Sequence, residues 1–294
     1  MQPLFETVAI VGPGLIGGSL GMAIRQRRLA GRVIGIGHRQ VSLQEALKAG
    51  AADSVTLEAA EGVREADLVV LATPISALAR LMPAIAASVK TQAVVTDVAS
   101  TKQEVIATVT GALRTRPDVA YVPAHPMTGS ERRGVANAHA LLFERSVCIL
   151  TPLPGTSAVA VRRVRELWEG VGARVCQMDP ASHDHLVARI SHLPHLAAVA
   201  LLQTTSADEA ALAGPGLTDT TRIASGDPAL WRDICETNAP HITLALDAYL
   251  KVLEHLRDLV ASRQFDRLQE LLCEAKARRD GLITARGGEM PRRA

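Results

Sequence analysis

The segment from Thr7 to Gly18 constrains the fold more than any other part of the chain. It reads Thr-Val-Ala-Ile-Val-Gly-Pro-Gly-Leu-Ile-Gly-Gly, which predicts a buried strand, a G-x-G-x-x-G turn and then a helix. In such a turn the first glycine permits the bend, the second lets the backbone approach a pyrophosphate, and the third permits close helix–strand contact. The positive end of the helix would face the phosphates of a dinucleotide. The residues expected to bind it here are Gly12, Gly14, Leu15, Ile16 and Gly17.

Short apolar runs alternate with helical patterns through residues 1–180. The apolar runs are continuous rather than alternating, which favours the strands of a parallel sheet covered on both faces. This order predicts a doubly wound parallel-sheet (Rossmann) α/β domain that binds a dinucleotide. The predicted strands are Val8–Val11, Arg32–Ile36, Leu68–Ala72, Ala93–Asp97 and Ala120–Pro123, with Val147–Leu150 and Arg174–Gln177 as later candidates. The predicted helices are Leu15–Arg27, Ser42–Ala49, Ser76–Val89 and Lys102–Leu113.

The pattern changes near Pro180, and no convincing strand is predicted after it. Residues 181–294 are expected to form an all-α domain for substrate binding and dimerisation, with a disordered tail from about residue 284. Pro194 interrupts a helical stretch, His183–Thr205, where a kink or break is expected. An apolar helix face farther on predicts burial against a second subunit, although burial on the first domain is an alternative. That face consists of Leu246, Tyr249, Leu250, Leu253, Leu256 and Val260.

Composition narrows the class of protein. Hydrophobic residues make up 48% of the chain but aromatic residues only 2%, so Ala, Val, Leu and Ile must build the core. A formal net charge of +2 gives no reason to expect nucleic acid or an anionic membrane as a partner. No apolar stretch reaches the roughly 18 residues of a membrane span, and no signal peptide is recognisable. We therefore expect a cytoplasmic protein whose four cysteines are reduced thiols: Cys148, Cys176, Cys235 and Cys273.

The end of the second strand bears on which dinucleotide binds. Sites that select NAD usually place Asp or Glu there for the ribose 2′-hydroxyl. This chain has no carboxylate at that point, and Arg39 stands where it could pair with a 2′-phosphate. His38 lies beside it, and Ser42 could add a hydroxyl donor or cap the next helix. NADP is therefore predicted over NAD, the alternative being that Arg39 is a surface arginine and either cofactor is accepted.

Thr73 and Pro74 follow another predicted strand. Ligands of such folds bind where parallel strands end, so this turn is expected to pass beside the cofactor ribose. Pro74 also suits the first position of a helix, a structural role that does not compete with the first.

Four segments carry a family resemblance. They are Asp97–Lys102, the His-Pro-Met-Thr-Gly-Ser-Glu run from His125, the Ser-His-Leu-Pro-His run Ser191–His195, and the Thr-Arg-Ile-Ala-Ser-Gly-Asp-Pro-Ala-Leu-Trp run Thr221–Trp231. Together with the glycine loop, they resemble the prephenate and arogenate dehydrogenases of tyrosine biosynthesis. The resemblance extends from about residue 7 to residue 280.

The resemblance implies an NAD(P)-dependent oxidative decarboxylation of a cyclohexadiene with a 4-hydroxyl and a C1 carboxylate. His125, on a proline-flanked loop, would accept the hydroxyl proton, since a neutral imidazole is available near pH 7 without special tuning. Ser100 would hydrogen-bond the same oxygen, or else cap the helix that starts near Lys102. No metal is implied.

The resemblance also implies the residues that bind the substrate. Arg222 is expected to bind the carboxylate, because guanidinium groups bind carboxylates with two hydrogen bonds. His195 and His192 are expected to contact the substrate, the alternative being satisfied histidines at the Pro194 kink. Lys102 is counted among the same substrate-binding group.

The sequence leaves two alternatives to this function. Another β-hydroxyacid dehydrogenase would be expected to offer a catalytic lysine in the helical domain, but residues 182–250 contain no lysine. A non-catalytic NADP-sensing protein would bind cofactor without turnover, but no DNA-reading or ligand-sensing module is recognisable. The sequence does not decide whether prephenate or arogenate is the substrate, or whether tyrosine inhibits the enzyme.

Overall fold

The computed structural model describes residues 2–129 and 132–288, with side chains as far as residue 282. The chain forms two compact units, Met1–Ile242 and Thr243–Ala294. Residues 284–288 of the tail expected to be disordered lie in a helix, Phe265–Gly288, so the expectation is wrong for them. Residues 289–294 lie outside the described residues, and their disorder stays a prediction.

Six parallel strands form the central sheet of the first unit, in the order β3-β2-β1-β4-β5-β6. This order changes direction between β1 and β4, which is where ligands bind in doubly wound sheets. The predicted Rossmann fold is confirmed, and its predicted strands agree with the observed ones to within three residues. The strands are β1 Phe5–Val11, β2 Ala30–Ile36, β3 Ser54–Thr56, β4 Leu68–Leu71, β5 Val94–Asp97 and β6 Ala120–Val122.

Helices cover both faces of this sheet. Val8 and Ile10 of β1 point into one apolar core, and Ala9 and Val11 point into the other, as the two-residue period of a strand requires. Sequence reasoning missed β3 and α3, which are too short to show a period, and the arginine-rich α6. The helices are α1 Leu15–Gln26, α2 Gln40–Lys48, α3 Ala59–Gly62, α4 Ile75–Ser88, α5 Gln103–Leu113 and α6 Ala158–Gly170.

A second, three-stranded sheet corrects the prediction for Ala120–Pro123. The chain leaves β6 at Val122 and enters β7 Ala124–Pro126, which pairs antiparallel with β8 Val147–Leu150. Pro123 has no N–H for a ladder, but its carbonyl accepts from Thr151 N at 3.0 Å, so pairing passes to the new sheet. β8 pairs in parallel with β9 Arg174–Gln177, so both late strand candidates exist but belong to this sheet.

Helices alone follow β9 among the described residues, as predicted. Asp179 caps α7 by accepting from Ser182 N. The break expected at Pro194 is confirmed as a π-helical turn, Ala188–His192, that directly precedes α8. These helices are α7 Pro180–Val187, α8 Leu193–Gln203, α9 Ala207–Ala211, α10 Pro215–Thr221, α11 Pro228–Thr237, α12 Ala239–Ala261 and α13 Phe265–Gly288, with a 3-10 turn at Arg222–Ser225.

Two carboxylates from these helices cap helices of the Rossmann fold. Asp184 of α7 accepts from the backbone N–H groups of Lys102 and Gln103 at 2.8 and 2.9 Å, at the start of α5. Asp233 of α11 accepts from Ser76 N at 3.0 Å, at the start of α4. Because α4 and α5 begin where parallel strands end, α7 and α11 lie at the ligand-binding edge of the sheet.

The second unit contains α12 from Thr243 onward and the whole of α13. Leu259 is buried, while several other apolar side chains are half or more exposed. The exposed group includes Leu244, Leu250, Val252, Val260, Leu272 and Leu282.

One helical run, Pro180–Gln203, is long and apolar enough to cross a membrane by length and composition alone. It contains the π-helical turn and the buried, hydrogen-bonded pair His183 and Asp184. A core helix passes the same test, so one such run is weak evidence for a membrane span.

Candidate active site

The glycine loop has the geometry that its sequence predicts. Gly12 has a φ of +96°, and a Cβ added to it would lie 2.6 Å from the carbonyl oxygen of Ala72. A Cβ on Gly17 would lie 2.3 Å from the Gly12 oxygen, so helix α1 can approach the strand only with glycine there. Gly14 faces open space, with no atom within 4 Å of an added Cβ. Only this middle glycine leaves room for a group approaching the backbone.

Helix α1 offers its first N–H groups on the same side. It begins at Leu15, followed by Ile16, and its N-cap Gly14 has no side chain with which to cap it. The Thr73 hydroxyl is buried beside Gly12 and has no hydrogen-bond partner in the described structure. An uncapped helix terminus, an open glycine and an unpaired hydroxyl fit a dinucleotide. Pro74 is the N-cap of α4 rather than its first residue.

The end of β2 is exposed. His38 and Arg39 both lie on the surface, directly before α2. The helix begins at Gln40 with Arg39 as its N-cap, so Ser42 lies in its first turn. The suggestion that Ser42 caps this helix is therefore wrong, whereas a role as hydroxyl donor stays a prediction.

His125 lies in strand β7 rather than on a loop. Its register partner is Ile149 of β8, and only 8% of its surface is exposed. Its Nδ1 lies 2.8 Å from Nε2 of His183, which belongs to α7 and is fully buried. Pairing within the sheet therefore fixes the backbone of His125, and the contact with His183 fixes its imidazole ring.

A carboxylate completes this row of side chains. His183 Nδ1 lies 2.8 Å from Oδ1 of Asp184, the same carboxylate that caps α5. Sequence reasoning missed both residues. The sequence signal was a polar pair just inside the start of an apolar helical run, close to the Asp179-Pro180 start signal.

Burial governs the protonation of this row. It lowers the pKa of His125 well below its ordinary value, and the nearby charges of His183, Lys102 and His192 act in the same direction. Burial also lowers the pKa of His183, although Asp184 opposes this. Burial alone would raise the pKa of Asp184, but hydrogen bonds from His183 and two backbone N–H groups bring it below its ordinary value. Burial therefore adds to the neutral form of His125 that was expected near pH 7 without special tuning.

Lys102 lies beneath the His125 strand. Its side chain has no exposed surface, and its Nζ binds Asp97 and donates to the carbonyl oxygen of Ala124 at 2.7 Å. The Tyr121 hydroxyl donates to the other oxygen of Asp97 at 2.7 Å, and burial followed by that charge raises the pKa of Tyr121 well above its usual range. Contact of Lys102 with a substrate stays a prediction, since its ammonium is enclosed by protein groups.

Ser100 is half-buried in the turn between β5 and α5. The side chain that caps α5 is Asp184, so the alternative role of Ser100 as the cap is wrong. The next residue, Thr101, shares a hydrogen bond of 2.8 Å with Thr237 of α11. This contact holds the turn that presents Ser100.

The two histidines around Pro194 have different surroundings. His192 is buried, lies 3.2 Å from the amide nitrogen of Asn238, and has a pKa lowered by burial to about 4. His195 stacks on Trp231 with ring centroids 3.5 Å apart, and its buried Nδ1 has no partner in the described structure. A Cβ on Gly226 would lie 2.4 Å from the Trp231 indole nitrogen. The Thr221–Trp231 run therefore packs against α8.

Arg222 is exposed and begins the 3-10 turn Arg222–Ser225. Asp227, five residues on, caps α11 through Ala229 N and forms an ion pair with Arg133. Hydrogen bonds join His125, Lys102 and the π-helical turn in one buried cluster. The role of Arg222 stays a prediction. Within the described residues, no three His, Cys, Asp or Glu side chains are grouped as a metal would require.

Comparison with known proteins agrees with this architecture. Residues 20–177 match the family model "Prephenate dehydrogenase, nucleotide-binding domain", and residues 179–274 match "Prephenate dehydrogenase, dimerization domain". The chain is 35% identical over 298 residues to prephenate dehydrogenase of Bacillus subtilis, covering 99% of this chain and 80% of the relative. It is 34% identical to cyclohexadienyl dehydrogenase of Zymomonas mobilis, over 96% of this chain and 97% of that one.

A solved structure gives the same result. The crystal structure of prephenate dehydrogenase from A. aeolicus, in complex with hydroxyphenyl propionate and NAD+, superposes with a TM-score of 0.87. The two sequences are 30% identical, and the match covers 94% of this chain and 98% of that chain. The resemblance found in the motifs thus extends over nearly all of the fold, and the chain belongs to the prephenate dehydrogenase family.

Proposed function

We propose that this chain is a nicotinamide-dependent dehydrogenase that oxidatively decarboxylates prephenate to 4-hydroxyphenylpyruvate, arogenate to tyrosine, or both. One observation carries the proposal beyond family membership. His125 of the family motif, in strand β7, is a buried imidazole with a lowered pKa, in the same compact unit as a glycine loop that fits a dinucleotide. Such an imidazole is unprotonated near pH 7 and is therefore available as a base.

The proton of the 4-hydroxyl and the hydride of C4 leave the substrate toward different acceptors. A bound nicotinamide supplies the hydride acceptor for C4. His125 accepts the proton of the 4-hydroxyl, and Ser100 hydrogen-bonds the same oxygen. Carbon dioxide departs as the ring becomes aromatic, which makes the reaction effectively irreversible. The protein therefore has to place one base and exclude water, and the burial of His125 favours both.

The rest of the substrate contacts the helical segment. Arg222 binds the C1 carboxylate, since its planar guanidinium suits two parallel hydrogen bonds. His195 contacts the substrate through the buried Nδ1 that has no protein partner in the described structure, and His192 lies one turn earlier. Lys102 belongs to the same substrate-binding group, and its Nζ also holds the strand of His125 through the Ala124 carbonyl.

The cofactor is NADP in preference to NAD. The exposed Arg39 at the end of β2, where no carboxylate stands, suits a 2′-phosphate, with His38 and Ser42 beside it. Thr73 and Pro74 line the ribose side of the same edge. The A. aeolicus relative was crystallised with NAD+.

The enzyme is a cytoplasmic homodimer that associates through residues 181–294, while residues 1–180 bind the dinucleotide. The name of the second family model and the exposed apolar side chains of α12 and α13 support the dimer. The change from one family model to the other between residues 177 and 179 supports the boundary. Free thiols at all four cysteines suit a reducing compartment. The partner is a small molecule, with neither nucleic acid nor a membrane.

A steady-state assay of two substrates against two cofactors tests these statements together. Prephenate and arogenate are each supplied with NAD+ and with NADP+, and reduced nicotinamide is followed by absorbance. We expect turnover of at least one substrate and a higher kcat/KM with NADP+. No reduced nicotinamide in any arm would contradict the catalytic function and favour a dinucleotide sensor. Turnover with a preference for NAD+ would contradict only the cofactor assignment.

A further inference from the structure

His183 is a buried titratable group to which the reaction described above assigns no role. It lies in the first half of α7 with no exposed surface, and both of its ring nitrogens are engaged. A buried polar ring costs free energy unless it is fully hydrogen-bonded, so these two contacts determine how it is held. They also determine where its single proton lies.

The direction of the hydrogen bonds follows from Asp184. Its carboxylate accepts two backbone N–H groups from the start of α5, and hydrogen bonding keeps its pKa low. An ionised carboxylate can only accept, so Nδ1 of His183 carries the proton. A neutral His183 then presents a lone pair at Nε2, and that lone pair accepts from Nδ1–H of His125.

This arrangement leaves one position open on His125. With Nδ1 donating to His183, the Nε2 of His125 has no proton and presents a lone pair. A general base that takes the proton of a hydroxyl needs that lone pair. The opposite tautomer of His125 would present an N–H to the hydroxyl and would be inactive as a base.

We propose that His183 is a positioning residue, which fixes His125 in the tautomer with an unprotonated Nε2 and is itself oriented by Asp184. The inference rests on the proposed function for its consequence in turnover, although the tautomer itself does not depend on any substrate. It gives Asp184 two roles, because one carboxylate caps α5 and orients the base.

The proton balance of the step is simple. The O–H bond of the 4-hydroxyl breaks, its proton bonds to Nε2 of His125, and its electron pair forms the carbonyl at C4. The C4–H bond breaks in the same step, and its hydrogen and electron pair leave as hydride to the nicotinamide of the proposed function. His125 then carries a positive charge and keeps donating Nδ1–H to His183. The Asp184 carboxylate lies beyond His183 and opposes the nearby positive charge of Lys102, while His192 also faces His125.

The first test does not depend on catalytic activity. Wild-type protein labelled with 15N in its histidines gives NMR correlation patterns that differ between the two neutral tautomers. The His125 signals are assigned by their loss in His125→Asn. We expect protonated Nδ1 and unprotonated Nε2 in the free enzyme at pH 7. A protonated Nε2 on His125 would overturn the proposal, whatever the enzyme turns over.

The second test uses two variants that differ in one property. His183→Gln keeps a side-chain oxygen able to accept from His125, whereas His183→Phe keeps a ring and removes the acceptor. We expect kcat to fall on the order of 10²-fold in His183→Phe, with KM little changed, since a wrong tautomer disables a base. In His183→Gln we expect kcat within about tenfold of wild type, because an acceptor remains.

His185→Gln is the matched control, since that exposed histidine lies on the same helix and contacts His241 instead. We expect it to match wild type in kcat and in the pH profile of kcat/KM. Equal losses in the Gln and Phe variants would contradict a tautomer role and leave His183 as packing alone. If His183→Phe does not fold, the NMR pattern and the activity of His183→Gln still decide the matter.

Discussion

The cofactor edge and the histidine cluster are built in opposite ways. The edge consists of backbone, open space and exposed side chains: Gly14 faces no atom within 4 Å, and Arg39 lies on the surface. The cluster consists of buried side chains bound to one another, with His183 and Lys102 wholly enclosed. A site made of backbone tolerates changes of side chain, whereas a buried polar network fails when one partner is removed. The predictions below test that contrast.

The largest effect is expected at the base itself. His125→Asn should lower kcat by about 10²–10⁴-fold, the usual contribution of a general base. The affinity for reduced cofactor, measured by its fluorescence, should not change, because the glycine loop that binds it does not include His125. Full activity in this variant would remove His125 from catalysis.

The cluster should also control stability. Lys102→Met leaves Asp97 buried without its cation and should lower the free energy of unfolding by about 3–5 kcal/mol. The matched control is Lys90→Met, which removes an exposed pair with Asp67 and should cost about 1 kcal/mol or less. Urea unfolding measures both. Equal costs would show that burial does not distinguish these pairs.

A pH dependence follows from His192. Its pKa is about 4 in the folded protein against about 6.5 unfolded, so between these values the unfolded chain binds the extra proton. Stability from this group is complete above pH 6.5 and is lost as the pH falls to 4, by roughly 3 kcal/mol. The slope of unfolding free energy against pH should be shallower in His192→Gln. Parallel slopes would contradict the assignment.

Loss of the exposed Arg222 guanidinium should change only the affinity for substrate. Arg222→Ala should raise KM by about 10–100-fold at unchanged kcat, the effect of losing charged hydrogen bonds. Arg232→Ala is the control, since Arg232 pairs with Glu236 on the surface of α11. A fall in kcat at unchanged KM would instead place Arg222 in the transition state.

The smallest effect is expected at the cofactor edge. Arg39→Asp should shift the ratio of kcat/KM for NADP+ over NAD+ by about tenfold toward NAD+. Lys48→Asp makes the same change of charge at the far end of α2 and should leave the ratio unchanged. An unaltered ratio in Arg39→Asp would exclude that residue from cofactor choice.

The same contrast explains what the sequence could predict. Gly12, Gly14 and Gly17 act through local backbone geometry, so their spacing alone indicated the strand, turn and helix. His183 and Asp184 gain their roles from partners 58 and 82 residues away, and no local pattern encodes such pairings. His125 itself was found through a motif, yet its strand was not, because Pro123 moves the chain to another sheet.

The π-helical turn Ala188–His192 joins α7 to α8, and it determines which single-residue deletions this run of helix can accept. Such a turn accommodates one residue more than a regular helix, and each helical residue turns the chain by about 100°. Because the wider turn absorbs that extra residue, deleting one residue here would restore a regular α-helix in which His183 and His195 keep their angular positions. Deleting one residue in the regular part of α7 would instead rotate His183 and Asp184 by about 100° relative to His195.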